Sequence, residues 1–223
     1  MYDYDKIFNL LILNGYEFKT EQYLRDGFNI FRKNIGGFVL FFSIYFVLNV
    51  FFRLIPSNYS ILLGNFLYPI FFAGTILVAN EILKGNTTKF IDFFNGIKYY
   101  LTLLILNFFS GIIVVLGLIF LIIPGIYLWV SFYFAPYFVV FLGYDFWPAM
   151  ILSQKIFSKY WWQVFGFLII VNLINFSGLL LFGFGIIFTI PLSLCITFVA
   201  FEDIVGSAIR KYSGNFENNI NEN

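Results

Sequence analysis

The sequence predicts an all-α integral membrane protein, a bundle of about six transmembrane helices in three hairpins, each preceded by an interfacial amphipathic helix. Three observations predict it. Of 223 residues, 61% are hydrophobic and only 11% are charged, whereas a soluble domain carries about 25% charge; this much apolar surface has to face lipid. The charges also fall in clusters, separated by stretches long enough to cross a bilayer. Finally, one order of elements recurs three times along the chain.

The N-terminal segment 1–34 reads as cytoplasmic and interfacial. It does not read as a secretory signal, because Asp3, Asp5, Lys6, Glu17, Lys19, Glu21, Arg25, Asp26, Arg32 and Lys33 interrupt it. Asn34 to Phe52 is free of charge and makes span one, ending at Arg53. Pro56, Ser57 and Asn58 make a turn, and Ile61 to Ala79 makes span two. Between Lys98 and Asp145 runs an uncharged stretch of roughly 46 residues, about 70 Å as one helix and more than twice the hydrocarbon core. It has to fold back, and Pro124-Gly125 is the predicted turn. Spans three (Leu101 to Ile123) and four (Gly125 to Leu142) follow. Tyr160 to Phe201, roughly 42 residues without charge, needs a second reversal. Gly183-Phe184-Gly185 is the predicted place, giving span five (Val164 to Phe182) and span six (Ile186 to Ala200) with Pro191 as a kink inside it.

Six spans put the N-terminus, the Glu81–Lys98 segment, the Asp145–Lys159 segment and the C-terminus on one side. That side holds every Lys and Arg except Arg53. The excess of Lys and Arg marks it as cytoplasmic, in a cell inner membrane. Tyr99, Tyr100, Trp147, Tyr160, Trp161 and Trp162 cluster at its interface, where amphipathic rings settle.

The membrane domain, 35–206, reads as one unit used three times, over about 24–85, 88–145 and 147–206, with a polar tail at 207–223. Each unit opens with a segment holding Lys and aromatics: Tyr23 to Asn34, Thr88 to Tyr99, Trp147 to Trp162. Each closes with an acid: Glu81, Asp145, then Glu202-Asp203. Phe31, Lys33 and Asn49 align with Phe157, Lys159 and Asn175 at one offset, and Pro69 and Pro191 precede the closing acids by similar distances. Gly85 reads as a helix stop, with Thr87 or Thr88 capping the next helix. The Asn-rich stretch from Ser213 to Asn223 reads as disordered.

Composition narrows the chemistry. There is no histidine, which removes His-ligated metals and triads with a His base. The one cysteine, Cys195, cannot pair within the chain. A net charge of +1 offers no basic face for nucleic acid. The six spans hold no Asp, Glu, Lys, Arg or His, which speaks against a proton-coupled pump. Their polar residues are Asn49, Asn65, Asn107, Asn172, Asn175, Thr189, Ser193 and Thr197, expected as packing glue between helices. Glu81, Asp145, Glu202 and Asp203 form an acidic set at the inner face that could hold a cation or work as acid and base. Pairing with Lys33, Lys98, Lys155 and Lys159 is the plainer expectation. No site for a catalytic group, a cofactor or a metal is predicted.

Several runs resemble one group of proteins. Tyr23-Leu24-Arg25-Asp26-Gly27-Phe28-Asn29-Ile30-Phe31-Arg32-Lys33-Asn34 resembles a "Gly-Trp-x-x-Phe-Lys-x-Asn" opening, with Phe28 where Trp is usual. Ile122-Ile123-Pro124-Gly125-Ile126-Tyr127-Leu128 resembles an "Ile-Pro-Gly-Ile-Tyr-Leu" hairpin. Ala149 to Ser153 and the close Phe201-Glu202-Asp203-Ile204-Val205 resemble the stretches that follow. Together they resemble the bacterial multi-pass proteins grouped around YciC-like proteins and the membrane domain of glycerophosphodiester phosphodiesterases. That resemblance implies a membrane fold and carries no chemistry to individual residues. A non-enzymatic scaffold, lipid-interacting or partner-binding protein is the first expectation, with membrane lipids and a membrane protein as partners. A small transporter or channel-like subunit is the second.

Overall fold

The computed structural model describes residues 4–54, 60–180 and 183–212. The Pro56–Asn58 turn and the polar tail from Ser213 lie outside the described residues, as does the side chain of Asn65. Helices α1 (Tyr4–Asn14), α2 (Thr20–Lys33), α3 (Ile35–Leu54) and α4 (Ser60–Leu83) come first. A 3-10 segment (Phe90–Tyr99) leads into α5 (Tyr100–Phe120), followed by α6 (Ile122–Phe132) and α7 (Ala135–Leu142). Then come α8 (Phe146–Phe157), α9 (Trp161–Leu180) and α10 (Ile186–Phe201), which runs on through a π turn (Glu202–Gly206). No strand occurs among the described residues. Six helices, counting α6–α7 as one, are long and apolar enough to cross a membrane.

Local chemistry sets the ends. Asn34 leaves helical geometry, and its side-chain oxygen accepts from the Gly37 amide at 3.1 Å, starting α3. Gly85, at φ +82°, stops α4, with Asn86 N–H donating to the Glu81 carbonyl at 2.9 Å. The next segment is capped at Lys89, not at Thr87 or Thr88. The Asp92 carboxylate reaches back to the Lys89 amide at 2.7 Å, while the Thr88 hydroxyl accepts from the Asn34 amide at 3.1 Å.

The second hairpin turns earlier than the sequence predicts. Extended backbone at Leu121 (φ −156°, ψ 132°) makes the break. Pro124 then sits in the first turn of α6, where its missing N–H is no loss. Gly125 is a contact residue: a Cβ there would lie 2.6 Å from the Leu118 nitrogen and 2.4 Å from its side chain. Without one, α5 and α6 close onto each other. Around the third reversal, Gly183 has φ +79°, and Gly185 packs against the Gly178 carbonyl, where a Cβ would lie 2.5 Å away. Pro191 lies inside α10 and is buried.

The three opening segments share one packing rule. Each lies against the second span of the preceding unit. The Phe90–Tyr99 segment lies on α4, with Gly96 so close that a Cβ would meet the Gly74 nitrogen at 2.4 Å. Helix α8 lies on α6 and α7, with the Ser153 hydroxyl donating to the Ser131 carbonyl at 2.6 Å. Helix α2 has no preceding unit, and it lies on α10, the second span of the last one. There Gly27 faces the Ile196 backbone, 2.5 Å from where its Cβ would be. The third contact closes the chain into a ring. The opposite faces, bearing Phe28, Ile91 and Trp147, remain exposed.

Helix α1 was not expected as a docked element. Ile7, Phe8 and Leu11 bury against the helices of the charged end, Phe8 edge-on to Phe138 of α7 at 6.1 Å. The Lys159 ammonium donates to the Ile12 and Leu13 carbonyls at the helix end, the favourable place for a cation.

Candidate functional site

Two places deserve comparison as sites, the acids of the charged face and a groove deeper in the bundle. The acids do not converge. Glu81 accepts from Lys84 at 3.0 Å and from the Asn86 amide at 2.6 Å, all at the end of its own helix. Glu202 pairs with Arg210. Asp203 accepts from the Tyr23 hydroxyl at 2.8 Å and lies 3.8 Å from the Lys19 ammonium. Burial and the Asp203 charge push the Tyr23 phenol well above its ordinary range, so it stays a donor. Asp145 stands before α8 and makes no side-chain cap. Among the described residues, no three acids or cysteines group to hold a metal ion. Their ion partners are thus Lys84, Arg210 and Lys19, not the expected Lys33, Lys98, Lys155 and Lys159, because short-range helix ends and the α2–α10 contact decide who meets. Glu81 and Glu202 make local pairs at helix ends, and Asp203 ties α2 to α10.

The polar residues within the spans divide into three kinds. Asn49 and Asn172 donate to carbonyls four residues back on their own helices, at 2.9 and 2.7 Å, so they are not glue between helices. Ser193 donates to Asn175 across α9 and α10 at 2.9 Å, and Tyr137 meets Thr197 at 2.6 Å, which are such glue. The Thr189 hydroxyl is buried without a partner among the described residues. Asn107 has an exposed side chain and no hydrogen-bond partner among the described residues.

Asn107 lines the second place. A groove of about 370 Å³ lies between α4, α5 and the α6–α7 span. Tyr68, Phe72, Trp129 and Tyr133 give it aromatic walls, and Asn107 and Ser110 line it from α5. The Tyr68 hydroxyl has no hydrogen-bond partner among the described residues; the Ser110 hydroxyl donates only to the Asn107 carbonyl, at 3.3 Å. Counting helix rise, Tyr68 lies about 20 Å from the level of Glu81, and Asn107 about 14 Å from that of Lys98. In a hydrocarbon core of about 30 Å this is near mid-depth.

The groove opens sideways. Its α5 edge, at Asn107, Gly111 and Val115, is exposed. Those three residues also belong to a shallower apolar depression of about 720 Å³ that includes Phe66, Phe108 and Ile112. A Cβ at Gly111 would meet nothing within 4 Å, so the edge is unobstructed. Sequence reasoning gathered Asn107 and missed the groove, since its walls come from three helices far apart in the chain. The clue in the sequence was the pairing of Asn107 with Ser110-Gly111 in an otherwise apolar helix. No family model matches this chain, and neither a curated protein nor a solved structure matches it.

Proposed function

We propose that this multi-pass protein acts without catalysis, by holding a lipid-soluble molecule at a groove entered from the bilayer. One observation carries the reading. The groove at mid-depth carries polar side chains where lipid tails offer no partner, and it is exposed along α5. An amide left unpaired in hydrocarbon costs several kcal/mol, so an occupant with hydrogen-bonding atoms is favoured there. Glu81, Glu202 and Asp203, by contrast, are held in separate structural pairs.

The chain sits, on this proposal, in a bacterial inner membrane with both ends cytoplasmic, and it is kin to the YciC-like group. The Lys and Arg distribution supports the first point and the motif order supports the second. Mass spectrometry of the protein released from mild detergent tests the function. Retention of a defined lipid-soluble molecule is the expected result; a chain stripped bare, or one carrying bulk lipids in membrane proportion, refutes it. The small-transporter reading would need the groove to connect two sides, and its exposed edge faces sideways.

A further inference from the structure

Resting on the lipid-binding reading, we propose that the groove takes the ring of a ring-bearing lipid with oxygen acceptors, of the quinone class, while its tail runs along the apolar depression beside α5. Four features of the groove carry this. Its volume of about 370 Å³ is near the small end of ligand pockets, enough for one substituted ring and too little for a whole lipid. Its walls include the aromatic rings of Trp129, Tyr133 and Tyr68, which can stack on or meet edge-on a flat ring. Its polar groups, the Asn107 amide, the Tyr68 hydroxyl and the Ser110 hydroxyl, can donate to ring oxygens. They do so near mid-depth, where a phospholipid presents only methylenes, its ester groups lying about 15 Å away at the interface. The adjoining depression of about 720 Å³ meets the groove at Asn107 and Gly111 and is almost wholly apolar, as a prenyl or alkyl tail requires.

A second copy packing on α5 would also give Asn107 a partner, since two amides can donate to each other. It would leave the Tyr68 hydroxyl and the Trp129 face unfilled inside the groove, so the ring ligand accounts for more of the lining.

The test uses the full chain in quinone-free phospholipid nanodiscs and decylubiquinone as the probe. Quinones quench tryptophan fluorescence on contact, and Trp129 lines the groove. Saturable quenching is expected, with Trp129→Phe removing most of the saturable part. Asn107→Leu removes hydrogen-bonding atoms, and Gly111→Leu blocks the edge; each is expected to weaken binding roughly tenfold, with helicity and thermal midpoint retained. Neither variant buries a polar group, so both should fold. Oleyl alcohol, a chain without a ring, should fail to displace the probe.

Displacement by oleyl alcohol would overturn the ring assignment and leave the lipid-binding reading standing. Non-saturable quenching, together with a chain stripped bare in detergent, would remove both. Quenching unchanged in Asn107→Leu and Gly111→Leu would overturn the site. So would efficient disulfide cross-linking between copies through Gly111→Cys that is indifferent to the quinone.

Discussion

Replacing Gly96 by Ala should unfold the second opening segment from α4. The methyl would stand 2.4 Å from the Gly74 nitrogen, 2.6 Å from the Ile70 carbonyl oxygen and 3.1 Å from the Ala73 carbonyl carbon. All three are backbone atoms of one helix, so no side chain can swing aside; the segment itself has to lift. Overpacking of this kind costs about 1–3 kcal/mol, and the close backbone contacts place Gly96→Ala near 2 kcal/mol. Gly166, in α9, is the control, because a Cβ there meets nothing within 4 Å. Gly166→Ala should stabilise by about 0.5–1 kcal/mol through helix propensity. The two substitutions are chemically identical and should differ in sign, by roughly 3 kcal/mol in all. Reversible unfolding by sodium dodecyl sulfate in mixed micelles, followed by circular dichroism, measures both. A Gly96→Ala protein as stable as the parent would refute the argument that this segment is held by close backbone contact.

Gly27→Ala, facing the Ile196 Cα and nitrogen, should cost about as much as Gly96→Ala by the same assay, because it opens the ring at its closing contact. Tyr23→Phe removes the donor to Asp203; with that carboxylate still near Lys19, the loss should be about 1–2 kcal/mol in the same titration. Lys159→Met takes the cation from the end of α1, and hydrogen exchange should quicken over Tyr4–Asn14 while α3 and α10 stay protected. Pro124→Ala should change stability by less than about 1 kcal/mol, since a proline in the first turn gives up no helical hydrogen bond, whereas Gly125→Ala should cost about 1–3 kcal/mol against Leu118.

Much of the architecture was legible because charge is expensive in lipid. Lys33, Arg53, Lys98, Asp145 and Lys159 bracket the spans, and helix boundaries fall close to those brackets. Glycine was harder to read. Gly183 and Gly125 look alike in the sequence, yet the first has a positive φ and the second a helix pressed upon it. The residue serves both needs for one reason, the missing Cβ, and only tertiary packing says which is in force. Partner choice among the acids was illegible for a related reason. Asp203 meets Tyr23 and Lys19, about 180 residues upstream, and no local spacing encodes such a contact.

The ring closure and the groove are linked by the second unit. Helix α2 and the Phe90–Tyr99 segment press on α10 and α4 respectively, and these two are the most deeply buried spans. Helix α5 leads out of the Phe90–Tyr99 segment and packs mainly on its own partner α6, so it stays the most lipid-exposed span. A bundle closed by three equivalent contacts would be expected to bury its polar side chains inward, as it does at Tyr137–Thr197 and Ser193–Asn175. Asn107 stands on the least buried of the candidate spans. Were it mere glue, it would sit where α5 meets α6; it lies instead at the rim shared by the groove and the apolar depression. The same fold that packs Thr197 and Ser193 inside the bundle thus leaves Asn107 exposed at the edge of the groove, beside the apolar depression.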